Sequence, residues 1–163
     1  MNTPIREWPQ ALKCLISTFL FVLTIGVTIG LIYVERTTSA RPEYITEHYR
    51  GSETFDEFDI PEKYPKTIND LLLTTHTHVI AFSIIFVILG GLTFFSSVLK
   101  GRIKTFLMIE PLVSSCITFT SIWGIRFISP HFGIVTMISG ILMYISFYVI
   151  IAALLIEAIP RRS

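Results

Sequence analysis

At 163 residues, with 52% hydrophobic residues and a mean hydropathy of +0.65, the chain carries more apolar surface than one soluble core of this size can hide. A formal net charge of +1 gives no basis for nucleic-acid binding. Two cysteines, Cys14 and Cys116, lie in separate apolar runs, which excludes a disulfide framework and the paired spacing of a zinc or redox motif; both read as small apolar core residues.

The first apolar run, residues 14–34, follows Arg6 and Lys13. It is longer than the roughly 7–15 residues of a secretory signal core, so an uncleaved anchor is predicted. Gly26 and Gly30 form a G-x-x-x-G step within it, a pattern that lets helix backbones approach. Residues 35–70 follow as a loop with nine carboxylates against five Lys and Arg. Tyr44, Tyr49, Phe55, Phe58 and Tyr64 supply anchors there, Gly51 permits a turn, and Pro61 and Pro65 stiffen the chain. At least partial order is expected. The acidic cluster Glu53, Asp56, Glu57, Asp59 and Glu62 reads first as a solvated face, with docking of a basic partner such as a periplasmic cytochrome as the sharper alternative.

Thr67 followed by Asp70 has the form of a helix start, so the second membrane helix is expected to begin before its apolar run at 78–98. Lys100, Arg102 and Lys104 fill the short link to the third run, 105–125; the fourth, 132–155, is followed by Arg161 and Arg162. Each run holds about 20 continuous apolar residues, enough for ~30 Å of hydrocarbon, and continuity rather than alternation argues for helices. The predicted fold is an all-α membrane protein, a four-transmembrane-helix bundle forming a single integral membrane domain over residues 1–163. The basic residues of the links place both termini in the cytoplasm of a bacterial inner membrane and the 35–70 loop outside.

With that topology, His48, His76, His78 and His131 all fall at the outer side. His76 and His78 are two residues apart, hence about 200° apart on a helix, and cannot both face one centre in a regular helix. His76 recurs with Ser83, Gly90 and Ser97 every seven residues, which favours His76 as the inward residue. His131 paired with His76 or His78 would suit axial ligation of haem b, with Arg126 for a propionate and Trp123 against the macrocycle. A divalent transition metal held by His48, His76, His78 and His131 is the chemical alternative, and hydrogen bonding alone is the bland one.

Down the third run, Glu110, Ser114, Thr118 and Ser121 form one stripe. It reads either as a proton path toward the histidines or as interhelical packing, with Glu110 neutral or paired with Lys104. Glu157, close to Arg161 and Arg162, reads as a boundary ion pair. No phosphate loop, Ser-His-Asp set or H-E-x-x-H pair is present, so hydrolytic and nucleotide chemistry have no support.

The elements His48-Tyr49-Arg50-Gly51, Thr74-Thr75-His76-Thr77-His78 and the run K-T-F-L-M-I-E-P from Lys104 to Pro111 resemble those of a group of small four-span bacterial inner-membrane proteins, with H-Y-x-G in the outer loop and T-T-H-x-H opening the second span. The resemblance implies the topology and draws attention to the histidines; it carries no activity. The architecture is also similar to that of four-helix membrane b-type cytochromes. The leading expectation is therefore a redox subunit that binds haem near the outer face and relays electrons between quinol and a periplasmic partner. Its rival is a non-catalytic structural or assembly subunit contacting other membrane subunits in the lipid bilayer.

Overall fold

The computed structural model describes residues 3–52 and 60–159. Its regular elements are a short 3-10 helix, Ile5–Glu7, and five α-helices: α1 (Gln10–Thr38), α2 (Pro42–Arg50), α3 (Ile68–Phe94), α4 (Gly101–Phe127) and α5 (Phe132–Ala158). Four of them, α1, α3, α4 and α5, are long and apolar enough to cross a membrane. At 27–29 residues, or roughly 40 Å, they overshoot the hydrocarbon core and carry their polar ends into the headgroup region. The helices alternate in direction, giving a basic end with Arg6, Lys13, Lys100, Arg102 and Lys104 and an opposite end covered by α2.

The four expected spans are present, with shifted ends. α3 begins at Ile68 because Thr67 and Asp70 close a capping box: the Thr67 hydroxyl accepts from the Asp70 amide at 3.1 Å and the Asp70 carboxylate accepts from the Thr67 amide at 3.3 Å. It stops at Phe94, short of Val98, because the Ser96 hydroxyl takes up the amides of Val98 (3.2 Å) and Leu99 (3.4 Å) in a tight link.

α4 is the hub, packed along most of its length against α5 on one side and α3 on the other. Half of its most apolar 18-residue stretch is buried, against 11% for α1, which leans on α5 and touches α2. Helices α3 and α4 come close at Gly90, where an added Cβ would stand 3.3 Å from the Met108 carbonyl oxygen. Near the basic end, Leu20, Phe86, Leu89, Phe147, Ile150 and Leu154 form the core, and the amino-terminal Ile5 is fully buried among them. Ile5 donates its amide to the Phe95 carbonyl at 3.3 Å, and Trp8 meets the Phe95 ring edge-on.

At the other end the 35–70 segment is largely ordered among its described residues. Ser39, at φ 48°, ends α1 in the left-handed region, and Pro42 starts α2 at a position where no amide is needed. α2 lies over α4 and α5. Thr46 donates to the Pro130 carbonyl at 3.1 Å, and Gly133 leaves no room for a Cβ, which would stand 2.8 Å from the Pro42 carbonyl oxygen. Ser52 donates its amide to the Lys63 carbonyl (3.0 Å) and Lys66 to that of Tyr49 (3.1 Å), so the chain entering and leaving the acidic cluster is clasped. Glu53, Asp56, Glu57 and Asp59 of that cluster, with Phe55 and Phe58, lie outside the described residues, as do Arg161 and Arg162.

Candidate functional site

Two polar constellations sit among the helices, one at the α2 end and one midway along α4. At the α2 end, α3 meets α4 on the stripe Leu71, Thr75, His78, Phe82, Phe86, Leu89 and Thr93, successive steps of three or four residues. Thr75 accepts a hydrogen bond from the Trp123 indole at 2.8 Å. His78 is exposed, with its ring 5.0 Å from that of Phe119 on α4 and 6.2 Å from that of Phe82. Its Nδ1 is 2.9 Å from the Thr74 carbonyl oxygen. A carbonyl only accepts, so that nitrogen carries a proton, and Nε2 is the ring position left for a lone pair.

His76, exposed like His78, lies on the outward face with Ile80, Ile84 and Val87, which corrects the expectation that it turns inward. A seven-residue repeat drifts by ~20° per heptad on a straight helix. The stripe that is buried at Gly90 has therefore rotated off the contact by the time it reaches His76. His131, at the start of α5, is exposed as well. His48, on α2, is half-buried with its ring edge-on to Tyr49; burial holds its pKa below the ordinary imidazole value, and the charges of Lys66 and Lys63 push the same way. Among the described residues no three of His, Cys, Asp and Glu gather at one point.

The other two residues expected around a haem hold the fold at this end. Arg126 donates through Nε to the Lys66 carbonyl at 3.1 Å and lies over the Phe127 ring, which also stacks on Trp123. Arg50, given no role by the sequence, donates to the Ile125 carbonyl at 3.1 Å and so caps the last turn of α4 with a positive charge. Glu47 accepts from Lys63 (2.8 Å) and Ser52 (2.7 Å), which together keep its carboxyl below the usual carboxylate range. The H-Y-x-G element is thus the clasp of the loop. Tyr49 accepts from Lys66, Arg50 reaches α4, and Gly51 adopts φ 90° beside Pro65, where a side chain would be strained.

Midway along α4, Glu110, Ser114, Thr118 and Ser121 do share one buried or half-buried face. Ser114 donates to Oε1 of Glu110. The Thr118 hydroxyl is linked to Ser114 through the Ser114 carbonyl at 2.8 Å, and it reaches across to Ser139 of α5, also at 2.8 Å. Ser121 bonds back to the Ile117 carbonyl at 2.5 Å. Backbone carbonyls therefore stand between successive hydroxyls, and Ser139 adds a crossing to α5 that the α4 stripe alone could not reveal.

Lys104 reaches the Ser96 carbonyl at 2.8 Å and so serves the α3–α4 link. Glu110 is 7% exposed, and its Oε2 has no hydrogen-bond partner. The ion pair expected of Glu157 with Arg161 and Arg162 falls on residues outside the described ones. Glu157 itself is buried, and its Oε1 accepts from the amides of Ser97 (2.5 Å) and Val98 (3.1 Å) and from the Ser97 hydroxyl. Those amides follow the end of α3, where the helix no longer supplies acceptors; that of Val98 is shared with the Ser96 hydroxyl. Cys14 and Cys116 are free thiols on outward helix faces, not core residues.

No curated protein and no solved structure matches the chain significantly. A family model described as a transmembrane helical domain, Aq_1264_TM, matches residues 39–163, from the end of α1 through α2, α3, α4 and α5. With four apolar helices of spanning length and the match extending over most of the sequence, the chain belongs to the Aq_1264_TM family of transmembrane helical domains.

Proposed function

We propose that this chain is a non-catalytic subunit of a larger complex in the bacterial inner membrane, its basic end and both termini in the cytoplasm, and that α1 receives a neighbouring transmembrane helix. The observation that carries the reading is the state of α1. It leaves Phe21, Val22, Ile25, Ile29 and Ile32 outward, and Gly26 and Gly30 have no atom within 4 Å of where a Cβ would be. Small residues with open space beside them let a second backbone approach to van der Waals distance, the main source of helix association where lipid tails are as apolar as leucine. Orientation follows from Arg6, Lys13, Lys100, Arg102 and Lys104 at one end. Native electrophoresis of solubilised membranes tests it: Gly26→Leu with Gly30→Leu should release the chain from its complex while helical content is unchanged. Undisturbed assembly would overturn the reading.

A second reading, haem b ligation with electron relay between quinol and a periplasmic partner, is favoured by His78. A ligating histidine commonly donates its other ring nitrogen to a backbone carbonyl, which fixes the tautomer; His78 does so to Thr74 and keeps Nε2 free on an aromatic platform. The second axial group would come from His131 or from a partner subunit. A Soret band in the purified complex, abolished by His78→Ala and retained in His76→Ala, is the expected result. A complex without that band would remove this reading and leave the packing role intact.

A further inference from the structure

Along the membrane-facing side of α4 runs a groove of about 880 Å³, closed on one flank by Leu142 of α5. It extends from Gly101 to Ile117, a distance of ~24 Å along the helix. Its walls include Phe106, Ile109 and Val113, each about half exposed, so its mouth opens sideways into hydrocarbon. Glu110 lines it at mid-length with Oε1 bonded to Ser114 and Oε2 unpartnered. An orphaned carboxyl oxygen inside a membrane is costly unless a hydrogen-bonding group meets it.

We propose that this groove binds a lipid-soluble quinone or hydroquinone, with its ring at Glu110 and its hydrocarbon tail along the apolar wall. Oε2 is closed off in the unliganded groove and meets a ligand when the carboxyl group turns outward; the group then matches both forms of such a ligand. As a carboxylate, Oε2 accepts from a hydroquinone hydroxyl; protonated, it donates to a quinone carbonyl. The sideways mouth selects molecules that travel within the bilayer. A phospholipid would place its headgroup near Arg102, but its acyl chains offer Glu110 neither donor nor acceptor. At about 880 Å³ the groove falls within the roughly 300–1,000 Å³ of small-molecule sites. Binding here is independent of any haem at the α2 end.

The test is titration of the purified full-length chain in nanodiscs with decylubiquinone and decylubiquinol, followed calorimetrically. Saturable binding at one molecule per chain is expected, weakened roughly ten- to hundredfold by Glu110→Leu, which leaves the ligand's polar group without its hydrogen-bond partner. Val113→Trp, which fills the groove and leaves Glu110 in place, should weaken it as strongly; it answers the question if the Leu variant does not fold. Unsaturable partitioning by the wild-type chain, or equal affinity in Val113→Trp, would overturn the proposal. So would an Ile109→Cys chain that crosslinks to a second polypeptide while the wild type binds no quinone, an outcome assigning the groove to a partner helix.

Discussion

Thr75 and Trp123 join α3 to α4 through one hydrogen bond of 2.8 Å at the edge of the membrane, where the indole has few other acceptors. Thr75→Val preserves shape and removes the acceptor, so a loss of about 1–3 kcal/mol is expected, checked by thermal unfolding in detergent. Thr75→Ser should recover most of it. His48 gives a pH-dependent counterpart. Its pKa in the fold lies below the ordinary value through burial and the charges of Lys66 and Lys63, so an undocked α2 binds a proton more readily than a docked one. The docking contribution is therefore complete above about pH 6.5 and is lost as the pH falls through the lower, folded value. Glu47, whose pKa is also lowered, weakens the clasp in the same direction but only in the carboxylate range, further into acid. Hydrogen-exchange protection of α2 amides should fall between pH 7.5 and 5.5, and His48→Gln should erase that difference. The sequence pointed to histidines as a set. It could not say which side chains already had partners, because Thr74, Phe119 and Lys63 reach them from other turns and other elements.

At the scale of elements, hydrophobic length made the four spans legible, and the Thr67–Asp70 pair made the early start of α3 legible. α2 was not. Its nine residues carry no apolar run, and it is held in place by Arg50 at the Ile125 carbonyl, Thr46 at Pro130 and the Cβ-free surface of Gly133. Those partners lie some 75 to 90 residues away in sequence, beyond the reach of local pattern. Gly133→Val should undock α2 because its Cβ would collide with the Pro42 carbonyl oxygen and the Thr46 hydroxyl. Limited proteolysis between Arg41 and Arg50 should then become at least tenfold faster while the four long helices persist by circular dichroism, the signature of a sub-global opening of more than ~1.4 kcal/mol. The α4 stripe was visible as a periodicity, whereas its bond to Ser139 and the groove beside it depend on where α5 crosses.

For the whole molecule, the uneven burial of its helices decides how it behaves in a membrane. α4 is enclosed by α3 and α5, and α1 rests at the margin. A Gly91→Leu change on α3, where no atom lies within 4 Å of the added Cβ, should leave the isolated chain as stable as before, within about 0.5 kcal/mol. Any loss of complex on native electrophoresis would then map a second contact face, distinct from that of Gly26 and Gly30. The number of spans was legible in their lengths. The pairing order of the helices was not, because similar apolar helices can exchange neighbours without changing composition.

Glu157 ties this arrangement to the order of synthesis. The turn between α3 and α4 leaves the ribosome long before the carboxylate that accepts its amides, which lies 59 and 60 residues further on. Until the last helix has threaded through the bilayer, the hairpin made earlier must find water or lipid headgroups for the Ser97 amide, while that of Val98 has only the Ser96 hydroxyl. Truncation just upstream of Glu157 would thus leave an unfastened intermediate, recognisable by rapid labelling of a cysteine placed at Ser97.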